Sequence, residues 1–265
     1  MARPAGDGRA ACPVVIAAER EHTMSKEFGM QSNGMKTAAA ALLGAAAALA
    51  LAAGPGDRSA KSGAAPWLET ERGFPIHTRA SAPSEAKEVL EWYEANFQMV
   101  PHLAGVMADS PALSRSYWQL QNNLQSMGSL TPPENNIVQM AIAFENECQY
   151  CVAGHTAAGR MFFNSPEVQL EALRSGSALP DKKFDALRDF ALAVSASKGR
   201  VSESQLASFY AAGYTRTHAL DVVANVAAKV MSNYTNQIAL TPMDDAFEPL
   251  ARGLPFEEDR ELIER

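Results

Sequence analysis

The run Ile137-Val138-Gln139-Met140-Ala141-Ile142-Ala143-Phe144 constrains the fold more than any other stretch of the chain. It follows Leu130-Thr131-Pro132-Pro133-Glu134, in which Thr131 and Glu134 have the spacing of a capping box. Pro132 takes the first helical position, where a missing N–H costs nothing. A helix therefore begins here, and its residues leave little polar face. Such a helix needs other elements packed around it, which places it in the middle of a domain.

The segments available to surround it are also helical. Val89, Leu90, Tyr93 and Phe97 recur at helical spacing between Ser84 and Gln98, and Pro101 to Ala108 is a short apolar helix. Asp109 or Ser110 ahead of Pro111 starts another that runs to about Met127, with Leu113, Tyr117, Leu120 and Leu124 as its core stripe and Gly128 as its stop. Helices follow from Ser165-Pro166-Glu167, from Pro180, and from Ser202 with Gln205, the last a second capping box. A long one begins near Thr217, and its Leu220, Val223, Val226, Ala227, Val230, Met231 and Tyr234 form a broad apolar stripe. Period-two alternation and Asn-Gly hairpin signals are missing from the sequence, so strands are not expected.

The reading is an all-α, multi-helix domain over residues 75–247 and a tail over 248–265. Before it come an N-terminal extension (1–53) and a Ser-, Gly- and Ala-rich linker (54–74). With 265 residues, 47% hydrophobic and 20% charged, the chain supports one substantial core plus an extension. Its net charge of −7, without any basic stripe, gives no footprint for nucleic acid. Thr37 to Ala53 is uncharged and mostly Ala, shorter than the roughly 20 residues a membrane span needs. It reads instead as a signal peptide starting near Met35, with Ala48-Leu49-Ala50 or Ala50-Leu51-Ala52 as the cleavage site. Periplasmic or secreted localisation follows on that reading, a cytoplasmic protein with an Ala-rich tail being the alternative. Processing would remove Cys12 and leave Cys148 and Cys151 as the only thiols, which suits an oxidising compartment.

Chemistry concentrates in Phe144-Glu145-Asn146-Glu147-Cys148-Gln149-Tyr150-Cys151-Val152-Ala153-Gly154-His155. On a helix Cys148, Cys151 and His155 fall in one narrow stripe. Glu145, Asn146 and Glu147 are plausible helix-start residues, which would put both sulfurs in the first turn, where backbone N–H groups and the dipole favour a thiolate. An imidazole one turn beyond Cys151 can accept its proton or stabilise its charge. A structural zinc site would need two more ligands. The sequence has no second Cys pair, and the remaining histidines, His22, His77, His102 and His218, are scattered singly. A structural disulfide closing so short a loop would constrain the unfolded chain little. Redox chemistry, with one Cys attacking and the other resolving, uses every feature of the motif. His102 and His218 read as ordinary solvated or packed residues, whereas Asn233 and Asn236 are amides on an apolar helix that demand partners. They would pin the terminal segment or line a neighbouring subunit. Small residues around Gly154 would let another backbone approach the motif helix.

These residues, together with Met99-Val100-Pro101-His102-Leu103 and Asp109-Ser110-Pro111 upstream and Asn233-Tyr234-Thr235-Asn236 and Thr241-Pro242-Met243-Asp244 downstream, resemble the alkyl hydroperoxidase D-like (AhpD-like) branch of the carboxymuconolactone decarboxylase family. The resemblance implies a thiol-dependent peroxidase with no cofactor or metal, in which Cys151 attacks a peroxide, Cys148 closes the disulfide and His155 helps ionise Cys151. It also implies a homo-oligomer, a peroxide substrate and a dithiol protein or small thiol as reductant. A decarboxylase-type enzyme and a non-catalytic dithiol sensor are the alternatives. One position departs from the pattern: the family's relay Glu, twelve residues before the first Cys, is Asn136 here. Without that acceptor the Cys151 thiol is expected to ionise less readily, or the relay to run through Glu134, Glu145, Glu147 or water.

Overall fold

A computed structural model describes residues 68–256. Cys12, the expected signal peptide and most of the expected linker fall outside the described residues. A small antiparallel pair, β1 (Leu68–Glu69) and β2 (Pro75–Ile76), opens the fold, although no strands were expected. Two residues per strand are too few for alternation to show in a sequence.

A 3₁₀ turn (Ser84–Ala86) then leads into α1 (Lys87–Phe97), α2 (His102–Met107), α3 (Pro111–Ser126), α4 (Pro132–Glu145), α5 (Gln149–Met161), α6 (Glu167–Arg174), α7 (Lys182–Ser197), α8 (Glu203–Ala211), α9 (Arg216–Ala239) and the short α10 (Glu248–Ala251). Among the described residues none of these helices is long and apolar enough to cross a membrane.

Helix α4 is the centre. Ile137, Val138, Met140, Ile142 and Ala143 are without solvent exposure, and α5, α6, α7 and α9 pack around them. Its start is the capping box expected there: the Thr131 hydroxyl accepts from the Glu134 N–H, and the Glu134 carboxylate accepts from the Thr131 N–H at 2.9 Å. Boxes of the same kind start α8 at Ser202 and Gln205, and α9 at Thr215 and His218. Each such cap is worth about 1 kcal/mol. His218 is thereby accounted for, with Nδ1 accepting from the Thr215 N–H at 2.9 Å. Beyond α4, Phe209 is sandwiched between Phe190 and Tyr214, with ring centroids 4.0 and 4.7 Å away.

Two local readings change. Glu145 closes α4 rather than opening the next helix, and Glu147 turns the chain with φ 53°. Cys148 is consequently the N-cap residue of α5 and Cys151 lies in its first turn. Close packing on the helix backbone occurs at Gly159, not Gly154, and it is made by side chains rather than by another backbone. A Cβ on Gly159 would lie 2.6 Å from Leu170 Cδ2, whereas one on Gly154 would meet nothing nearer than Phe247 at 3.8 Å.

The larger change is the orientation of α9. Leu220, Val223, Val230 and Tyr234 of its apolar stripe point outward, and the buried face carries Asn225, Lys229, Ser232, Asn233 and Asn236. An apolar stripe ordinarily marks the core side of a helix. Here the inward side is polar because it meets two polar clusters. Near its start, the Asn225 amide bridges Asn135 and Gln139, at 2.8 Å each. Near its end lies the dithiol.

Candidate active site

Cys148 and Cys151 are both free thiols and both buried. Helix α5 supplies the first-turn position of Cys151, and α9 supplies the groups that face it. The Asn236 Nδ2 amide donates to Cys151 Sγ at 3.2 Å and approaches Cys148 Sγ at 3.6 Å. Asn233 also lies beside Cys151 and favours its charge, while its Oδ1 accepts from Asn146 Nδ2 at 2.9 Å. Lys229, one turn earlier on the same face and 1% exposed, brings its charge to bear on Cys151.

The two sulfurs end up unlike. Burial opposes ionisation of Cys151. The Cys148 thiol hydrogen bond, the Lys229 ammonium and the Asn233 and Asn236 amides outweigh it and bring the Cys151 thiol down to about 5. Burial pushes the Cys148 thiol well up, and the neighbouring Cys151 charge adds to this. Cys151 is thus the thiolate and Cys148 the thiol that donates to it. With Asn136 in the place of a carboxylate, the charge that favours the Cys151 thiolate comes from Lys229.

His155 occupies a defined place in this arrangement. Its Nε2 lies 2.9 Å from Lys229 Nζ and its Nδ1 lies 2.8 Å from Asn136 Oδ1. Asn136 Nδ2 donates to the His155 carbonyl at 3.3 Å, which fixes the amide with its oxygen toward the ring. A single assignment satisfies all three bonds: Nδ1 carries the proton and donates to Asn136, and Nε2 accepts from the ammonium. Burial, with the Lys229 charge beside it, holds the imidazole well below its ordinary pKa and hence neutral. Its influence on Cys151 passes through Lys229.

The other residues considered for a proton relay are elsewhere. Glu134 is committed to its capping box and to Lys183 Nζ at 3.0 Å and the Tyr214 hydroxyl at 3.1 Å. Glu145 and Glu147 are exposed on the turn before α5. His102 accepts no role at the sulfurs: its Nδ1 donates to the Pro242 carbonyl at 3.0 Å, and its backbone N–H donates to Asp244. Asp244 also accepts from the hydroxyl of Tyr150, the residue between the two cysteines. Among the described residues no three His, Cys, Asp or Glu side chains gather into a set that could hold a metal.

Sequence reasoning overlooked Lys229 and did not place Asn233 and Asn236 beside the dithiol. A signal was present. Lys229 is the only charged residue between Val222 and Ala239, and Asn233 and Asn236 follow it at four and seven residues, on one helical face.

Residues 111–188, from the start of α3 into α7, match the model of the carboxymuconolactone decarboxylase family. Around that segment the fold is AhpD-like. The alkylhydroperoxidase AhpD core of an uncharacterised peroxidase-related protein from Ralstonia eutropha JMP134 superposes with a TM-score of 0.59 at 24% identity, covering 68% of this chain and 95% of that one. A peroxidase-related protein from Silicibacter sp. TM1040 gives 0.56 at 19%, covering 74% and 100%. The debrominase Bmp8 gives 0.54 at 17%, covering 63% and 90%. No curated protein matches the sequence. The family segment contains Asn136, both cysteines and His155, whereas Lys229, Asn233 and Asn236 lie beyond its end.

Proposed function

We propose that this chain, whose residues 111–188 match the carboxymuconolactone decarboxylase family model, is a thiol-dependent peroxidase. Cys151 is the attacking thiolate and Cys148 the resolving thiol. The observation that carries the reading is the geometry of the two free, buried thiols at the start of α5, with the Asn236 amide of α9 at 3.2 Å from Cys151 Sγ and 3.6 Å from Cys148 Sγ; that setting favours the charge on Cys151 and disfavours it on Cys148. The sulfur that attacks the peroxide must be a thiolate, and the resolving thiol gives up its proton only as it attacks the sulfenic acid. The peroxidase-related relatives of the same fold agree with it.

In the first step a Cys151 Sγ lone pair attacks the terminal peroxide oxygen. The S–O bond forms as the O–O bond breaks, giving a sulfenic acid and an alcohol, or water from hydrogen peroxide. Cys148 Sγ then attacks Cys151 Sγ and expels the hydroxyl as water, leaving the disulfide. A dithiol protein or small thiol restores the pair by exchange.

Stopped-flow mixing of reduced protein with hydrogen peroxide and organic hydroperoxides tests this, with disulfide formation followed by mass spectrometry. Cys148→Ser is expected to react once and stall as the Cys151 sulfenic acid, and Cys151→Ser to lose the fast phase. Equal residual rates in the two variants would overturn the assignment. Steady turnover with added dithiothreitol separates a catalyst from a dithiol sensor, which oxidises once and stops. Decarboxylation of a muconolactone that survives loss of both cysteines would replace the reading altogether.

A further inference from the structure

We propose that Lys229 is the general acid of this site: it protonates the departing oxygen of the peroxide and remains as a neutral amine beside the Cys148–Cys151 disulfide. The inference rests on the peroxidase reading and deepens it.

The geometry begins with a cation that has one counter-charge. Lys229 is 1% exposed and makes no ion pair with Asp or Glu among the described residues. The titratable groups that face it are Tyr117 from α3 and Cys148, Cys151 and His155 from α5. His155 is neutral and, on its far side, meets the uncharged Asn136. The Cys151 thiolate is therefore the anion that balances the ammonium. Once the disulfide forms, that anion is gone. A buried ammonium without a partner is strongly disfavoured, whereas a buried neutral amine is not.

The proton count closes on this scheme. Reduced protein holds one proton on the Cys148 thiol and the extra proton on Lys229. Attack by Cys151 sends the O–O electron pair to the departing oxygen, which takes the Nζ proton. The hydroxyl expelled in the second step takes the Cys148 proton and leaves as water. Peroxide, thiolate, thiol and ammonium become alcohol, water, disulfide and amine, with no proton drawn from solvent. Two buried polar atoms favour a peroxide oxygen in this corner. Asn236 Oδ1 and Asn233 Nδ2 have no protein hydrogen-bond partner, and both belong to side chains that face Cys151. Together they offer an acceptor and a donor to an O–O–H group. His155 Nε2, accepting from Nζ, holds the ammonium in place.

The test is proton stoichiometry. Reduced full-length protein in weakly buffered neutral solution with a pH indicator is oxidised by stoichiometric hydrogen peroxide. Ultraviolet thiolate absorbance and disulfide yield are read on the same sample. The expected result is thiolate absorbance that vanishes with no net proton uptake. Uptake of one proton per disulfide would mean that Lys229 stays charged, and absence of the initial thiolate signal would mean that it was never a counter-ion; either result overturns the proposal. The wild-type measurement needs no variant to fold.

Lys229→Arg keeps the positive charge but cannot release a proton at this pH. It is expected to retain the thiolate, take up one proton per disulfide and react with peroxide about a hundredfold more slowly. A wild-type rate with no uptake in this variant would remove the general-acid role. Diamide, which takes two electrons and two protons from a dithiol without any O–O bond, is run in parallel. If diamide gives the expected counts and peroxide does not react, the peroxidase reading falls while the proton linkage between Lys229 and the dithiol stands.

Discussion

Positions 136 and 229 meet at one imidazole, that of His155. A carboxylate at 136 would give Lys229, through His155, a second anion to balance and would weaken the hold of the ammonium on the thiolate. The Asn136 amide orients the same imidazole without adding a charge. The titration of Cys151 follows from this arrangement. Alkylation of the reduced protein by iodoacetamide is expected to be independent of pH around neutrality and to fall as pH drops through about 5, where the thiolate gains its proton. Lys229→Met removes the ammonium and leaves burial unopposed, so the midpoint is expected to rise to at least the ordinary value of about 8.5, with the neutral-pH rate down by about thirtyfold. An unshifted midpoint would show that the amides and the Cys148 thiol suffice. At this scale the sequence was legible only where residues were close along the chain. Cys148, Cys151 and His155 announce themselves by spacing, whereas a lysine 78 residues after Cys151 reaches the sulfur only through the packing of α9 against the dithiol turn.

At the scale of elements, termini were easier to read than faces. Caps are local chemistry, and Thr131, Ser202 and Pro132 state their roles within four residues. Which side of a helix turns inward is decided by what it meets, and α9 meets amides and a thiolate. Its apolar stripe could not reveal that. The Gly pair on α5 makes the same point with a measurable outcome. Gly159→Ala forces a Cβ against Leu170 and to 3.2 Å from Asn136 Nδ2, and is expected to cost about 1–3 kcal/mol in a urea titration. It should also disturb the Asn136–His155 bond. Gly154→Ala has room and is expected to be neutral or stabilising by up to about 1 kcal/mol through helix propensity. A larger loss at 154 than at 159 would contradict the packing described for this helix.

Across the whole molecule, the all-α class and the central place of α4 were readable because periodicity and caps recur along the chain. Less was readable at the edges. The expected tail beyond Phe247 continues to pack: Leu254 is buried, Phe256 meets Phe144 with ring centroids 5.0 Å apart, and Arg174 donates to the Arg252 carbonyl at 3.1 Å. Aromatic and arginine contacts of this kind depend on chain return, which no local pattern encodes. The Tyr150 hydroxyl, donating to Asp244 and accepting from the Leu103 N–H at 3.2 Å, ties together segments 94 and 47 residues away from it at the point between the two thiols. Enzymes with loop-borne active sites commonly lose function early in a denaturant series, before their helices melt. Here the reactive sulfur has no independent loop on which to fail. Thiolate absorbance and far-ultraviolet ellipticity should therefore trace a single curve in urea, with one midpoint. A thiolate signal that disappears at lower urea than the helicity would show that the dithiol turn opens on its own. If the curves coincide, the initial rate at which the purified protein is alkylated at about pH 6, where an ordinary thiol is almost wholly protonated, reports the folded fraction.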